Sequence, residues 1–416
     1  MSRWLYFLLL AIPAALIAEG LHASPLVIFV LAALGLIPLA GMIGVATEAL
    51  AERLGHGIGG LLNATFGNAA EIIIGIVALT AGLPEVVRAS LAGSIIGNAL
   101  LVLGLSMFVG GWRYRRQRFS RRGAGQYSTM LVLSVIGMAI PSLLATIGEG
   151  TRPGAVVVRG NQLHQISIGV ALILLVCYAA YIAYSVFGVR AHPKDVQSLS
   201  PHVAESETTG HTAGEVHGQP AEEQAGVIPQ TPVPAKARPG EAAEVASQDG
   251  SGGFIGQLAR LWKTAIWLPI LVLAVATAAT AFMSEVLVGT IDPLTKQIGW
   301  NQFFVGLIII PLVGNAAEHF SAVTFAHRNH MEVSMAITAG SSIQIALLAA
   351  PILVVVGLLL GVPLDLNFTL LEIALFGLVA GLYALISLDG ESTWLEGLLL
   401  LAFYLILAVG TFVSPV

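Results

Sequence analysis

TFGNAAEIIIGIVAL (Thr65–Leu79) and LVGNAAEHFSAVTFA (Leu312–Ala326) each set the pentapeptide Gly-Asn-Ala-Ala-Glu inside an apolar run. A carboxylate near the centre of a bilayer-spanning helix costs about 2.5–3.5 kcal/mol on insertion scales. Two of them in matching pentapeptides call for a physical reason. The copies stand 247 residues apart, pairing Gly67 with Gly314, Asn68 with Asn315 and Glu71 with Glu318. The same offset pairs Gly59 with Gly306, and GSIIGNALL (Gly93–Leu101) with GSSIQIALL (Gly340–Leu348). A helix pair and its loop have therefore been duplicated as a unit. TEAL (Thr47–Leu50) and SEVL (Ser284–Leu287) add a further echo at a shifted spacing.

The composition says where such a unit lives. Of 416 residues, 56% are hydrophobic and 10% charged, and mean hydropathy is +0.85. Soluble domains carry about 25% charged residues, so the chain reads as an all-α integral membrane protein in contact with the lipid bilayer. Open strands cannot satisfy their backbone in lipid, and the ten-residue alternation of a barrel strand is absent. No basic tract points to nucleic acid. Cys177 is the single cysteine and can form no intramolecular disulfide.

Hydrophobic runs long enough to cross about 30 Å of hydrocarbon predict eleven spans, at about 4–19, 25–52, 58–82, 88–111, 126–148, 164–189, 262–289, 300–327, 332–360, 367–388 and 393–414. WRYRRQRFSRR (Trp112–Arg122) holds six arginines in a short loop; as a topology signal it places that loop in the cytoplasm. By parity, fifteen of nineteen Lys and Arg then fall inside, with Arg88, Arg152, Arg159 and Lys296 outside. The N-terminus is thus expected in the cytoplasm and the C-terminus outside, in the cell (inner) membrane. The first span shares a signal peptide's early charge and apolar run, but LHASP is a poor cleavage site. The six tryptophans lie at span ends and read as interfacial anchors.

The expected organisation is an N-terminal helix (1–24), a first five-helix repeat (25–190), an acidic Pro/Gly-rich cytoplasmic linker (191–258) and a second five-helix repeat (259–416). Residues 191–253 hold nine Asp and Glu against three Lys and Arg, with few large apolar groups. That composition cannot bury enough surface to fold alone, and a solvated linker accounts for His202, His211 and His217 better than metal sensing does. Five crossings per repeat is odd, so the second repeat enters upside down. Inverted repeats are a transporter architecture with the substrate site near the midplane. Homo-oligomerisation is compatible with the sequence.

Asn and Glu of each pentapeptide share a helix face, and the small residues between them admit a close neighbour. Glu71 and Glu318 are expected to meet between the repeats, where two unpaired charges cannot stay together in a low dielectric. A divalent cation or protons relieve the pair, and the two remedies exclude one another. The nearby candidate ligands are hard oxygens: Glu71, Glu318, Asn68, Asn315, Ser94, Asn98, Ser341, Ser342 and Gln344. Oxygen coordination suits Ca²⁺, whereas zinc or copper calls for His or Cys. Symmetry breaks where Gly97 aligns with Gln344 and Asn98 with Ile345, so each half supplies its amide from an adjacent position. Glu48 and Glu285, near opposite faces, and His319 are candidate gate or proton-relay residues; His319 is the only nitrogen ligand nearby, and as the helix neighbour of Glu318 it points about 100° away from it. Glu372 and Glu396 lie in apolar spans without an assigned role.

GLLNATFGNAAEIIIGIVAL (Gly60–Leu79), GSIIGNALLVLG (Gly93–Gly104), PLVGNAAEH (Pro311–His319), GSSIQIALLAAP (Gly340–Pro351) and DGESTWLEG (Asp389–Gly397) together resemble the calcium (cation)/proton exchanger family of the cation/calcium exchanger superfamily. The resemblance spans nearly the whole chain outside the linker. It implies an eleven-helix fold of two inverted five-helix repeats that exchanges cytosolic Ca²⁺ for protons. It also implies that Glu71 and Glu318 are the central ion-binding residues, with Asn68, Ser94, Asn98, Asn315, Ser341 and Gln344 lining the same cavity. The acidic linker helix of eukaryotic members is not matched, because Pro and Gly interrupt the linker here. No cofactor is implied beyond the transported ions. Exchange of Na⁺ or K⁺ for protons on the same fold is the alternative, then a cation channel or membrane sensor. An enzyme is not expected, since HExxH, GxSxG and phosphate-loop motifs are absent.

Overall fold

The computed structural model describes residues 7–150, 160–187 and 265–413. The expected linker at 191–258, with its three histidines, lies outside these. The described residues are nearly all helical. A 3₁₀ turn (Leu8–Leu10) and α1 (Ala11–Gly20) precede α2 (Pro25–Phe66), α3 (Ala69–Thr80), α4 (Pro84–Gly97) and α5 (Leu103–Tyr114). The short strand β1 (Arg116–Arg118), α6 (Arg121–Gly150) and α7 (Asn161–Phe187) complete the first half. The second half runs α8 (Trp267–Gly289), α9 (Ile291–Ile298), α10 (Gln302–Phe304), α11 (Ile310–Gly314), α12 (Ala316–His327), α13 (Met331–Gln344), α14 (Ala350–Leu360), α15 (Leu370–Asp389), β2 (Glu391–Thr393) and α16 (Trp394–Val413).

Among the described residues, eight helices are long and apolar enough to cross a membrane, and the bent pair Gln302–Gly314 with Ala316–His327 makes a ninth. The expected first and third spans correspond to shorter apolar helices, Leu8–Gly20 and Ala69–Thr80.

The duplication seen in the sequence recurs in the backbone. Adding 247 to the bounds of α3 gives those of α12, and adding 247 to α4 gives α13. π-helical turns at Asn98–Val102 and Ile345–Ala349 follow the same offset. Each inserts an extra residue into the helical register, a feature often found at functional sites. Asn68 and Asn315 interrupt their helices with nearly the same dihedrals, φ −102°, ψ 20° and φ −94°, ψ 6°. The second break bends the helix by 62°.

One element differs from the expected spans. A loop was expected between 52 and 58, yet α2 is helical from Pro25 to Phe66. It is not one straight rod. A Cβ on Gly59 would fall within 2.9 Å of Ala51 Cα, whereas eight residues of straight helix span about 12 Å. The chain doubles back between these residues, and only a glycine leaves room for it. The crossing expected there is made by a tight helical reversal.

Tertiary contacts tie the loops into two groups whose membership agrees with alternate crossings. At one end β1 pairs antiparallel with β2, in the register Gln117 to Ser392. Gln117 donates to Ala326 O and Asn329 Oδ1 at 2.7 and 3.1 Å, joining the α12–α13 turn. Arg118 and Arg116 reach Glu391 at 3.2 and 3.6 Å, and Arg121 Nε donates to Asp389 O. The arginine run is thus a clasp between repeats as well as a charge signal. At the other end Ser142 Oγ donates to Leu366 O and accepts from Phe368 N, while Ser167 Oγ accepts from Leu366 N. His164 pairs with Asp365 at 2.8 Å beside them. These side chains satisfy the backbone of the non-helical stretch between α14 and α15, which has no helical partners of its own.

Glycines set the closest helix contacts. A Cβ on Gly93 would collide with Leu307 O, and one on Gly306 would lie 2.7 Å from Ala89 Cβ, so α4 and the helix start at 302–309 approach through paired glycines. Gly397 meets Gly104 in the same way between α5 and α16. Such small-residue seams are how membrane helices pack without a hydrophobic drive between them.

Candidate ion-exchange site

The two helix breaks build the site. Asn68 and Asn315 occupy the positions that would cap α3 and α12, but neither side chain makes a capping bond. The amides are spent across the repeats instead. Asn68 Nδ2 donates to Gln344 Oε1 at 2.6 Å, and Asn315 Nδ2 donates to Ser94 Oγ at 3.1 Å. Each break also starts a new helix, placing Glu71 and Glu318 in the first turn of α3 and α12. There the positive end of the helix dipole favours an anion by about 0.3–1 kcal/mol. An unbroken helix would lack that help.

Glu71 and Glu318 lie near enough for their charges to interact. Glu71 also packs against the opposite motif, since a Cβ on Gly314 would stand 3.3 Å from Glu71 Cγ. Ser341 Oγ stands near the Glu318 carboxylate without reaching hydrogen-bond geometry. The decisive feature is a shortage of donors. Asn68 Oδ1, Asn315 Oδ1, both Glu71 oxygens and Glu318 Oε2 are buried without a hydrogen-bond partner. Each amide presents its NH₂ outward to Gln344 or Ser94, which leaves its carbonyl as an orphan acceptor. None of the ion pairs among the described residues involves either glutamate. Buried polar atoms are normally satisfied, so a concentration of unpartnered oxygen is chemistry suited to a hard cation or to protons.

The remaining candidates divide. Asn98 opens the first π-turn, 2% exposed, with its Nδ2 unpartnered. Ser342 is fully buried, but its hydroxyl donates to Thr338 O along its own helix. His319 is half-buried on α12. Glu48 and Glu285 are exposed, while their neighbours Thr47 and Ser284 are fully buried; no described contact joins either glutamate to the central pair. Among the described residues no three His, Cys, Asp or Glu form a group that could hold a metal. Neutral oxygens must therefore supply whatever coordination the two carboxylates do not.

The asymmetry noted at Gly97/Gln344 has a structural consequence. Strict symmetry would pair Asn68 with Ser341, as Asn315 pairs with Ser94. Gln344 takes Asn68 instead, which leaves Ser341 beside Glu318. Glu372 and Glu396 also find their place. Glu372 Oε2 accepts from Thr369 N at 2.7 Å, and Glu396 Oε2 accepts from Thr393 N at 2.7 Å. The threonine hydroxyl oxygens in turn accept from Glu372 N and Glu396 N. Both are capping boxes. Their spelling, Thr-x-x-Glu at the start of an apolar run, is visible in the sequence.

The sequence profile of the sodium/calcium exchanger protein family matches residues 24–187 and 268–413. The chain belongs to this family. A Ca²⁺/H⁺ antiporter of Synechocystis is 36% identical over 416 residues, covering 100% of this chain and 98% of its own. Vacuolar cation/proton exchanger 4 of Arabidopsis thaliana is 34% identical, covering 99% and 81%. The solved structure of native YfkE superposes with a TM-score of 0.72 at 31% identity, over 99% of this chain and all of that one.

Proposed function

We propose that this exchanger moves Ca²⁺ out of the cytoplasm in return for protons, with Glu71 and Glu318 as one shared site. The observation that carries it is the set of five buried, unpartnered acceptor oxygens drawn from both repeats. With two carboxylates and two amide carbonyls, a Ca²⁺ ion finds most of the six to eight oxygens it takes; Ser94, Asn98, Ser341, Ser342 and Gln344 are the further candidate ligands. Protonation of the carboxylates satisfies the same oxygens without the ion. Occupancy by one excludes the other, and coupling follows from that exclusion. The names of the relatives support the ion pair.

In this reading the β1–β2 end faces the cytoplasm, because the arginine-rich loop lies there, and the protein sits in the cell membrane with its N-terminus inside. Glu48 and Glu285 would draw cations toward opposite entrances. In everted vesicles, Ca²⁺ added on the cytoplasmic face should collapse a pre-formed proton gradient. Vesicles whose gradient is indifferent to Ca²⁺ would sink the proposal. Because one relative is named only as a cation/proton exchanger, Na⁺ and K⁺ belong in the same assay. A response to these but not to Ca²⁺ would shift the assignment to monovalent exchange.

A further inference from the structure

A line of buried hydroxyls leaves the exchange site along α13. Ser341, Thr338 and Ser334 succeed one another at helical spacing, respectively 5%, 1% and 0% exposed. The hydroxyls of Ser341 and Ser334 have no hydrogen-bond partner. Thr338 Oγ1 donates to Met335 O at 3.1 Å, and Tyr383 Oη from α15 donates to the same carbonyl at 3.0 Å. The Tyr383 and Thr338 hydroxyls thus converge on one carbonyl oxygen. Tyr383 is the largest fully buried side chain of the protein's described core. Met335, Tyr127 of α6 and Glu332 line a small cavity that opens beside Ser120, at the β1–β2 end. The cavity, about 20 Å³, has room for about one water with polar partners.

We propose that this line is a proton passage between Glu318 and that cavity, separate from the route by which the cation enters. The order is Glu318, Ser341, Thr338, Tyr383, then Tyr127 and Glu332 at the cavity, with Ser334 one turn further along α13. From Ser341 to Met335 is six residues, about 9 Å of helix. Each hydroxyl can accept a proton on a lone pair while releasing its own, so one proton enters at one end as one leaves at the other and no hydroxyl changes its net charge. No vestibule for a hydrated cation is required. Beyond the glutamate pair, Glu332 on α13 interacts electrostatically with Tyr127 on α6, and Tyr127 with Tyr181 on α7 and Tyr383 on α15; no basic side chain is among the cavity lining. A fixed cation there would repel protons.

The inference rests on antiport at Glu71 and Glu318 and adds a route to it. It is tested with Tyr383→Phe, Thr338→Val and Thr338→Ser in reconstituted vesicles, following Ca²⁺ and protons together, with equilibrium Ca²⁺ binding measured on the same purified proteins. Tyr383→Phe and Thr338→Val are expected to bind Ca²⁺ within twofold of wild type yet exchange at least tenfold more slowly, and Thr338→Ser to recover most of the rate. Wild-type exchange in both would overturn the passage, as would lost Ca²⁺ binding or failure of Thr338→Ser to rescue, since these mark a purely structural role. Glu71→Gln run alongside separates the readings: if it exchanges normally, the underlying site assignment fails rather than the route.

Discussion

At Asn68 and Asn315 the amide NH₂ groups turn away from the glutamates and the carbonyls turn toward no donor. Charge and geometry there yield three expectations. Glu71→Gln and Glu318→Gln each replace an anionic ligand by a neutral amide, and each should lower Ca²⁺-dependent proton flux by more than about tenfold, the equivalent of 1.4 kcal/mol. Protons and Ca²⁺ compete for the same oxygens, so acidifying the cytoplasmic face should weaken apparent Ca²⁺ affinity. The shift is at most about tenfold per pH unit for each proton displaced, and an affinity indifferent to that pH would mean separate sites. Gly314→Ala places a methyl 3.3 Å from Glu71 Cγ and should displace that carboxylate, reducing exchange severalfold in a folded protein. Gly377→Ala, with nothing within 4 Å of its Cβ, is the matched control and should leave exchange unchanged.

At the scale of the element, half-helices and capping boxes do different jobs with the same residue type. Glu71 and Glu318 lie in the first turn of helices whose caps have been diverted, and both Glu71 oxygens and Glu318 Oε2 stay unpartnered. Glu396 begins a helix whose Thr393 cap is intact, and its Oε2 is satisfied twice. Thr393→Ala should therefore cost about 1 kcal/mol of stability, read as a lowered unfolding temperature in detergent, and leave Ca²⁺ affinity unchanged. Thr393→Ser keeps the hydroxyl and should restore the wild-type transition. Thr-x-x-Glu spells the capping boxes, yet Glu372 and Glu396 carried no assigned role, and the helix breaks at Asn68 and Asn315 fall inside spans expected to run unbroken, 58–82 and 300–327. The turn-back between Ala51 and Gly59 was legible as the break expected at 52–58, in a stretch that carries Gly55, Gly57 and Gly59; that the backbone stays helical through it was not.

Across the whole molecule, the β1–β2 clasp joins a loop of the first repeat to one of the second. Both central residues are buried, Gln117 at 1% and Ser392 at 0% exposure. Antiparallel register partners have Cα atoms about 4.5–5.5 Å apart, within the range a disulfide spans. In a Cys177→Ser background, Gln117→Cys with Ser392→Cys should cross-link on oxidation. If the clasped helices move as one body during exchange, the cross-linked protein transports at the uncross-linked rate. Arrest that is reversed by reductant would show instead that these loops part in every cycle.

Membrane class, the duplication and the glutamate pair were all determined by the sequence alone, for a definite reason. Lipid penalises unpaired charge and open backbone so heavily that apolar length, repeated spacing and a lone carboxylate carry nearly unambiguous meaning. Gln344 as the partner of Asn68, the packing of Glu71 on Gly314, and the clasp formed by Arg116 and Arg118 were decided only by the tertiary structure. So was the meeting of Tyr383 with Thr338, two residues 45 positions apart on different helices. These depend on which helix faces which, and helical periodicity does not encode that choice. It is set by how closely glycine seams let the repeats approach.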